Sequence, residues 1–175
     1  MLRFLKIFLI FAAGLLLFPI LAYLYLVFGR PPVAATDAPL PLEAAIVRIP
    51  LTARIHKEMP SQPPVAADDA ALVAGAQIYS DKCAVCHGTP TDPSAIGKNM
   101  FPSAPQLWVK HPDGIVGVSD DPPGETYWKV RNGIRLSGMP AYGNALTEQQ
   151  LWQVSLLLSV ANKPLPAEAT QALAQ

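Results

Sequence analysis

The sequence predicts an all-α protein: one transmembrane helix, a proline-rich linker and one small helical domain. Three observations predict it. No charged residue interrupts the run from Ile7 to Phe28. Two later stretches, 68–82 and 147–161, repeat apolar residues at helical spacing, and nowhere do apolar and polar residues alternate as in a half-buried strand. The 175 residues carry no formal net charge and no basic run, which excludes a nucleic-acid partner, and two cysteines are too few for a disulfide scaffold.

Residues 1–28 read as the anchor. A helix needs about 20 apolar residues to cross the hydrocarbon core, and this run is long enough. Gly14 and Pro19 are tolerated in such helices, and Tyr23 and Tyr25 lie where amphipathic rings favour the interface. Arg3 and Lys6 precede the run and favour a cytoplasmic N-terminus, a bias that Arg30 weakens. A cleaved signal peptide would have an apolar core of about 7–15 residues followed by a small-x-small site. The only such site, near Val33–Ala35, lies well past the end of the run, so an uncleaved anchor and an exported remainder are expected.

Residues 29–65 are rich in proline and read as a linker with a flexible reach of about 30 Å. Within it "LEAAIVRI" and "LTARIHKE" have the composition for a helical turn or two each, with Pro50 expected to separate them. Residues 66–163 read as the folded domain. Its first helix starts at an Asp68 or Asp69 cap and carries Leu72, Ala76 and Tyr79 on one face. Gly75 in mid-helix costs about 1 kcal/mol against alanine and suits a close helix crossing. A short helix over 124–133 stops at Gly133. The last starts at a Thr147–Gln150 capping box, presents Leu151, Val154, Leu157 and Leu158, and ends by Asn162 and Pro164. The 88–124 region reads as loop, long enough to imply that it wraps something. Residues 164–175 read as a C-terminal tail, at most a frayed helix.

Both cysteines fall in "CAVCHG", residues 83–88. A zinc knuckle needs a second ligand pair, and His56 and His111 do not form one. A thioredoxin-type dithiol needs a β-α-β setting. C-x-x-C-H is also the attachment motif for c-type haem: Cys83 and Cys86 for the two vinyl groups, His87 for the iron. Export fits this reading, and a porphyrin would supply the apolar surface that a loop-rich domain of about 100 residues lacks. The candidates for the opposite iron ligand are Met139, Met100, His111 and Met59. Met139 is favoured, because "GIRLSGMPAYG" sets it between Gly138 and Pro140; Met100 lies only a short way past His87.

"AGAQIYSDKCAVCHG" with "YWKVRNGIRLSGMPAYGNALTEQQLWQVSLLL" resembles the class I monohaem c-type cytochromes, of the bacterial membrane-anchored type, over residues 66–163. The resemblance implies the cytochrome c fold around one covalent haem c per chain. It also implies iron ligation by His87 and Met139, and a crossing of Gly75 and Tyr79 with the last helix near Trp152 and Leu156. A proline carbonyl, from Pro102 or Pro105, would accept the His87 Nδ1 proton. Trp108, Arg135 and Tyr142 are candidate neighbours of the haem carboxylates.

The expected function is membrane-tethered electron transfer in the periplasm, on the outer face of a bacterial cytoplasmic membrane, with no enzymatic activity. Expected partners are a terminal oxidase, a quinol-oxidising complex or a periplasmic dehydrogenase. The alternatives are a haem-carrying subunit of a larger membrane oxidoreductase and, against Met139, a haem enzyme or gas sensor with open iron. Lys82, Lys129, Arg131 and Arg135 are further expected to form a basic collar that steers an acidic partner.

Overall fold

The computed structural model describes residues 2–174, which form eight helices and no strand. The chain divides between Pro41 and Leu42 into two compact units. The first contains α1 (Leu2–Phe28), which runs unbroken through Pro19. At about 1.5 Å per residue it exceeds the roughly 30 Å of a hydrocarbon core. Its residues Arg3–Phe28 are long and apolar enough to cross a membrane, and none of that window is buried by the protein itself.

The second unit is built on α3 (Asp69–Lys82) and α7 (Glu148–Ser159), which cross closely. Asp68 caps α3 by accepting from the Ala71 amide at 2.8 Å. Thr147 and Gln150 cap α7 reciprocally. At the crossing Gly75 is buried; a β-carbon there would lie 2.4 Å from the Gln153 carbonyl oxygen and 3.2 Å from Leu157 Cβ. The glycine that weakens α3 locally is thus what lets α7 approach. Tyr79, Leu151, Trp152, Val154 and Leu157 fill the space between, each almost fully buried. Helix α6 (Pro123–Asn132) packs on α7, its Tyr127 ring stacked on Trp152 with centroids 4.3 Å apart. Tyr127 also bonds Glu148, and Arg131 reaches the same carboxylate at 2.6 Å.

Two stretches are more ordered than the sequence suggests. Where a linker is expected, α2 (Glu43–Glu58) runs straight through Pro50. Its second half is held from outside: Ile55 is buried, and Glu58 accepts the Trp128 indole N–H at 3.0 Å. That N–H and the Arg54 guanidinium hold the Glu58 carboxyl below its usual range. These contacts outweigh the one helix bond that Pro50 cannot make. The folded unit therefore reaches back to Leu42. In the tail, α8 (Ala167–Leu173) is packed rather than frayed. Ala169 and Leu173 are buried, and the Ala172 carbonyl accepts from Ser80 Oγ at 2.6 Å. Between α4 (Ala84–His87) and α6 the long loop holds only one short helical turn, α5 (Ala95–Lys98), and an isolated Lys110–Val116 bridge.

Candidate functional site

Cys83 terminates α3 and opens the single turn α4 (Ala84–His87). One turn of helix places Cys83 and His87 on successive levels of the same face, with Cys86 beside them. The segment is enclosed by the loop that follows. Ser94 Oγ donates to the Val85 carbonyl at 2.5 Å, Gln106 Nε2 to the Cys86 carbonyl at 3.2 Å, and the Leu107 amide to the His87 carbonyl at 3.2 Å. Gly97 is buried with no room for a side chain: a β-carbon would fall 1.8 Å from the Cys86 carbonyl oxygen. From the other side Tyr79 donates to the Gly88 carbonyl at 2.8 Å. The motif is thus braced through its backbone, which leaves its side chains for other work.

His87 Nδ1 lies 2.7 Å from the Pro105 carbonyl oxygen. Of the two prolines expected as acceptors, the structure uses Pro105. A carbonyl can only accept, so Nδ1 carries the proton and Nε2 keeps its lone pair. Burial holds the imidazole below its ordinary pKa, with the Pro105 bond opposing in part. The neutral ring with a fixed tautomer is the form that ligates a metal.

Neither cysteine is in a disulfide. Burial, and secondarily Cys86, pushes the Cys83 thiol up to about 12. A redox-active dithiol needs a thiol poised low, so this environment is wrong for thiol–disulfide exchange. Among the described residues no strand supplies the β-α-β setting, and no three His, Cys, Asp or Glu side chains converge as a zinc site requires.

Met139 sits in the loop after α6, half-buried against the core that Cys83, Trp108 and Tyr142 also border. The loop is pinned at both ends. The Met139 amide donates to Ser137 Oγ at 3.2 Å and its carbonyl accepts from Ile134 at 3.3 Å. Tyr142 Oη donates to the Lys82 carbonyl at 2.8 Å, tying the methionine loop to the residue before Cys83. Tyr142 therefore acts as a brace. Met100 is nearer than its sequence position suggests: its methyl carbon lies 1.9 Å from where a Gly138 β-carbon would stand. His111 is exposed in a turn.

Trp108 packs edge-on against Tyr79, ring centroids 5.6 Å apart, and its buried Nε1–H makes only a weak approach to the Tyr79 hydroxyl, with no acceptor at full hydrogen-bond geometry. A buried donor so poorly met leaves the site able to use a further acceptor. A haem carboxylate is such an acceptor. Two unpaired thiols, a neutral imidazole with a free Nε2, a half-buried methionine on a braced loop and a poorly met indole N–H together fit a haem.

Of the four residues of the expected basic collar two are paired, while Lys82 and Arg135 stand exposed. Lys129 is paired with Glu125 at 2.7 Å and Asp121 at 3.3 Å, and Arg131 with Glu148 at 2.6 Å. Exposed on the segments that meet here are the apolar Val85 between the cysteines, Ile96, Phe101 and Leu136, together with Lys82, Lys98 and Arg135. Sequence reasoning missed the apolar part of this rim, since single exposed apolar residues carry no periodic signal. A surface groove lies between α3 and α8, at the opposite end of α3 from Cys83.

One family matches the chain: cytochrome c oxidase, cbb3-type, subunit III, over residues 70–156. That interval contains the C-x-x-C-H motif, Pro105, Trp108 and Met139, and both crossing helices through Leu156. No curated protein and no solved structure matches it.

Proposed function

The chain carries a c-type cytochrome domain with covalently bound haem c and a candidate membrane span, and from that premise we propose that it is a membrane-tethered one-electron carrier rather than an enzyme. When bound, haem would supply a one-electron iron couple. Cys83 and Cys86 would hold it through thioethers. His87 Nε2 would ligate the iron, its ring fixed by the bond from Nδ1 to the Pro105 carbonyl. Met139, whose backbone is held by Ser137 and Ile134, would be the second protein ligand. The Trp108 N–H would be available to a haem carboxylate. The observation that carries the ligation is the pairing of a tautomer-fixed His87 with a thioether loop braced onto Lys82. A thioether ligand raises the potential, which suits a partner such as a terminal oxidase, a quinol-oxidising complex or a periplasmic dehydrogenase. Arg3 and Lys6 before the span favour the periplasmic side for the domain, a bias that Arg30 weakens.

The family match favours a second reading, a haem-carrying subunit of a respiratory oxidoreductase. Blue-native electrophoresis of mildly solubilised membranes, stained for haem, separates the two. The carrier migrates alone near its mass of 18.8 kDa plus detergent; a subunit migrates with a large complex.

We place electron exchange at this rim, where apolar side chains stand among exposed Lys82, Lys98 and Arg135, and expect only a modest dependence on salt. The rate with the physiological partner should change less than about twofold as the Debye length falls through about 10 Å. Leu136 is the sensitive position. Its side chain is 83 % exposed and its φ is 61°, a left-handed backbone that asparagine adopts more easily than leucine. Leu136→Asn should leave stability and haem content intact while slowing exchange about threefold or more. A salt-sensitive parent with an unaffected Leu136→Asn would return the docking role to charge.

A further inference from the structure

Helix α2 is apolar on two sides. Toward the domain it buries Ile55 and half-buries Leu51, and Arg54 lies 6.0 Å from the Trp128 ring centroid. On the opposite side Leu42, Ile46 and Ile49 follow the four-then-three spacing of one helical stripe, continued by Ala53. Leu42, Ile46 and Ile49 are 73 %, 62 % and 71 % exposed. A helix that needs one apolar face to join its domain has no folding use for a second. We propose that this outer stripe lies on the bilayer surface, as an interfacial helix that holds the haem domain against lipid.

Two further observations point to lipid. The span ends at Phe28 and α2 opens at Glu43, so residues 29–42 keep the stripe within at most about 50 Å of the membrane even when fully extended. As a flexible chain the same stretch averages about 20 Å. Charge selects the same side. Helix α2 carries Arg48, Arg54 and Lys57 against Glu43 and Glu58, a net positive charge, although Arg54 is paired with Glu58. Residues 59–175 carry seven basic and ten acidic side chains. Anionic headgroups therefore attract the striped helix and repel the rest of the folded unit. Because α2 packs on α6, and α6 leads into the Met139 loop, seating α2 fixes which side of the domain faces lipid. Only a restricted set of partner approaches then remains open.

The test places a photo-crosslinking benzoylphenylalanine singly at Ile49, at Ala53 and, as a control, at exposed Gln77 on α3 in the full-length holoprotein. Each variant is reconstituted in vesicles of phosphatidylethanolamine and phosphatidylglycerol, irradiated and weighed by mass spectrometry. Haem absorption equal to the parent's certifies each fold, and labelling two stripe positions guards against one of them perturbing α2. Lipid adducts at Ile49 and Ala53 should exceed those at Gln77 about tenfold, as expected for apolar side chains held in the interface. Equal yields at all three positions would overturn the proposal. So would adducts at the stripe to a second copy of the chain instead of lipid. Neither outcome depends on the iron ligands or the redox partner.

Discussion

Cys83→Ser combined with Cys86→Ser is expected to leave no haem on the polypeptide after denaturing electrophoresis, while each single variant keeps a reduced amount through its remaining thioether. The expectation rests on position as well as on motif. Cys83 opens and Cys86 lies within a single helical turn whose backbone is held by Ser94, Gln106, Leu107 and Tyr79. The two sulfurs and the His87 ring therefore come as one preset group. Burial keeps the Cys83 thiol protonated at physiological pH, with its pKa at about 12, which disfavours thiolate chemistry at that sulfur. The double variant should also lose stability, since loop 88–124 has little regular structure of its own and no porphyrin to pack on. Haem that survives denaturation of the double variant would show attachment elsewhere.

Met139→Ala is expected to keep its covalent haem and lose the weak near-red absorption that an iron–thioether bond gives the oxidised form. Its reduction potential should fall by something on the order of 0.1 V, within the range of about 0.8 V that axial ligands span. Met100→Ala is the necessary companion, because the Met100 methyl group lies against Gly138, next to Met139. If Met139 is the ligand, Met100→Ala keeps both the absorption and most of the potential. The reverse pattern, with the band lost in Met100→Ala alone, would transfer the ligand role to Met100.

What the sequence revealed was local in origin. Helices α3 and α7, their caps and the Gly75 crossing follow from periodicity and cap chemistry within one segment. The cysteines and His87 were legible because C-x-x-C-H is a contiguous motif. What stayed hidden depends on partners far along the chain. Helix α2 is fixed by Trp128, 70 residues on from Glu58, so Pro50 looked decisive when it was not. Helix α8 is short and takes its order from α3 rather than from its own propensity. The choice of Pro105 over Pro102 needed the loop's path. The basic collar is thinner than its sequence suggests for a related reason: the Arg131–Glu148 pair spans two helices, and a count of charges does not show which already have partners.

The claim that this domain moves single electrons through a haem is tested most directly by an optical redox titration of the purified full-length protein. The account predicts one wave, followed in the haem absorption, with a slope of about 59 mV per decade as for a one-electron couple. A slope near 30 mV per decade, carried by the Cys83–Cys86 thiols in a protein without haem absorption, would contradict it.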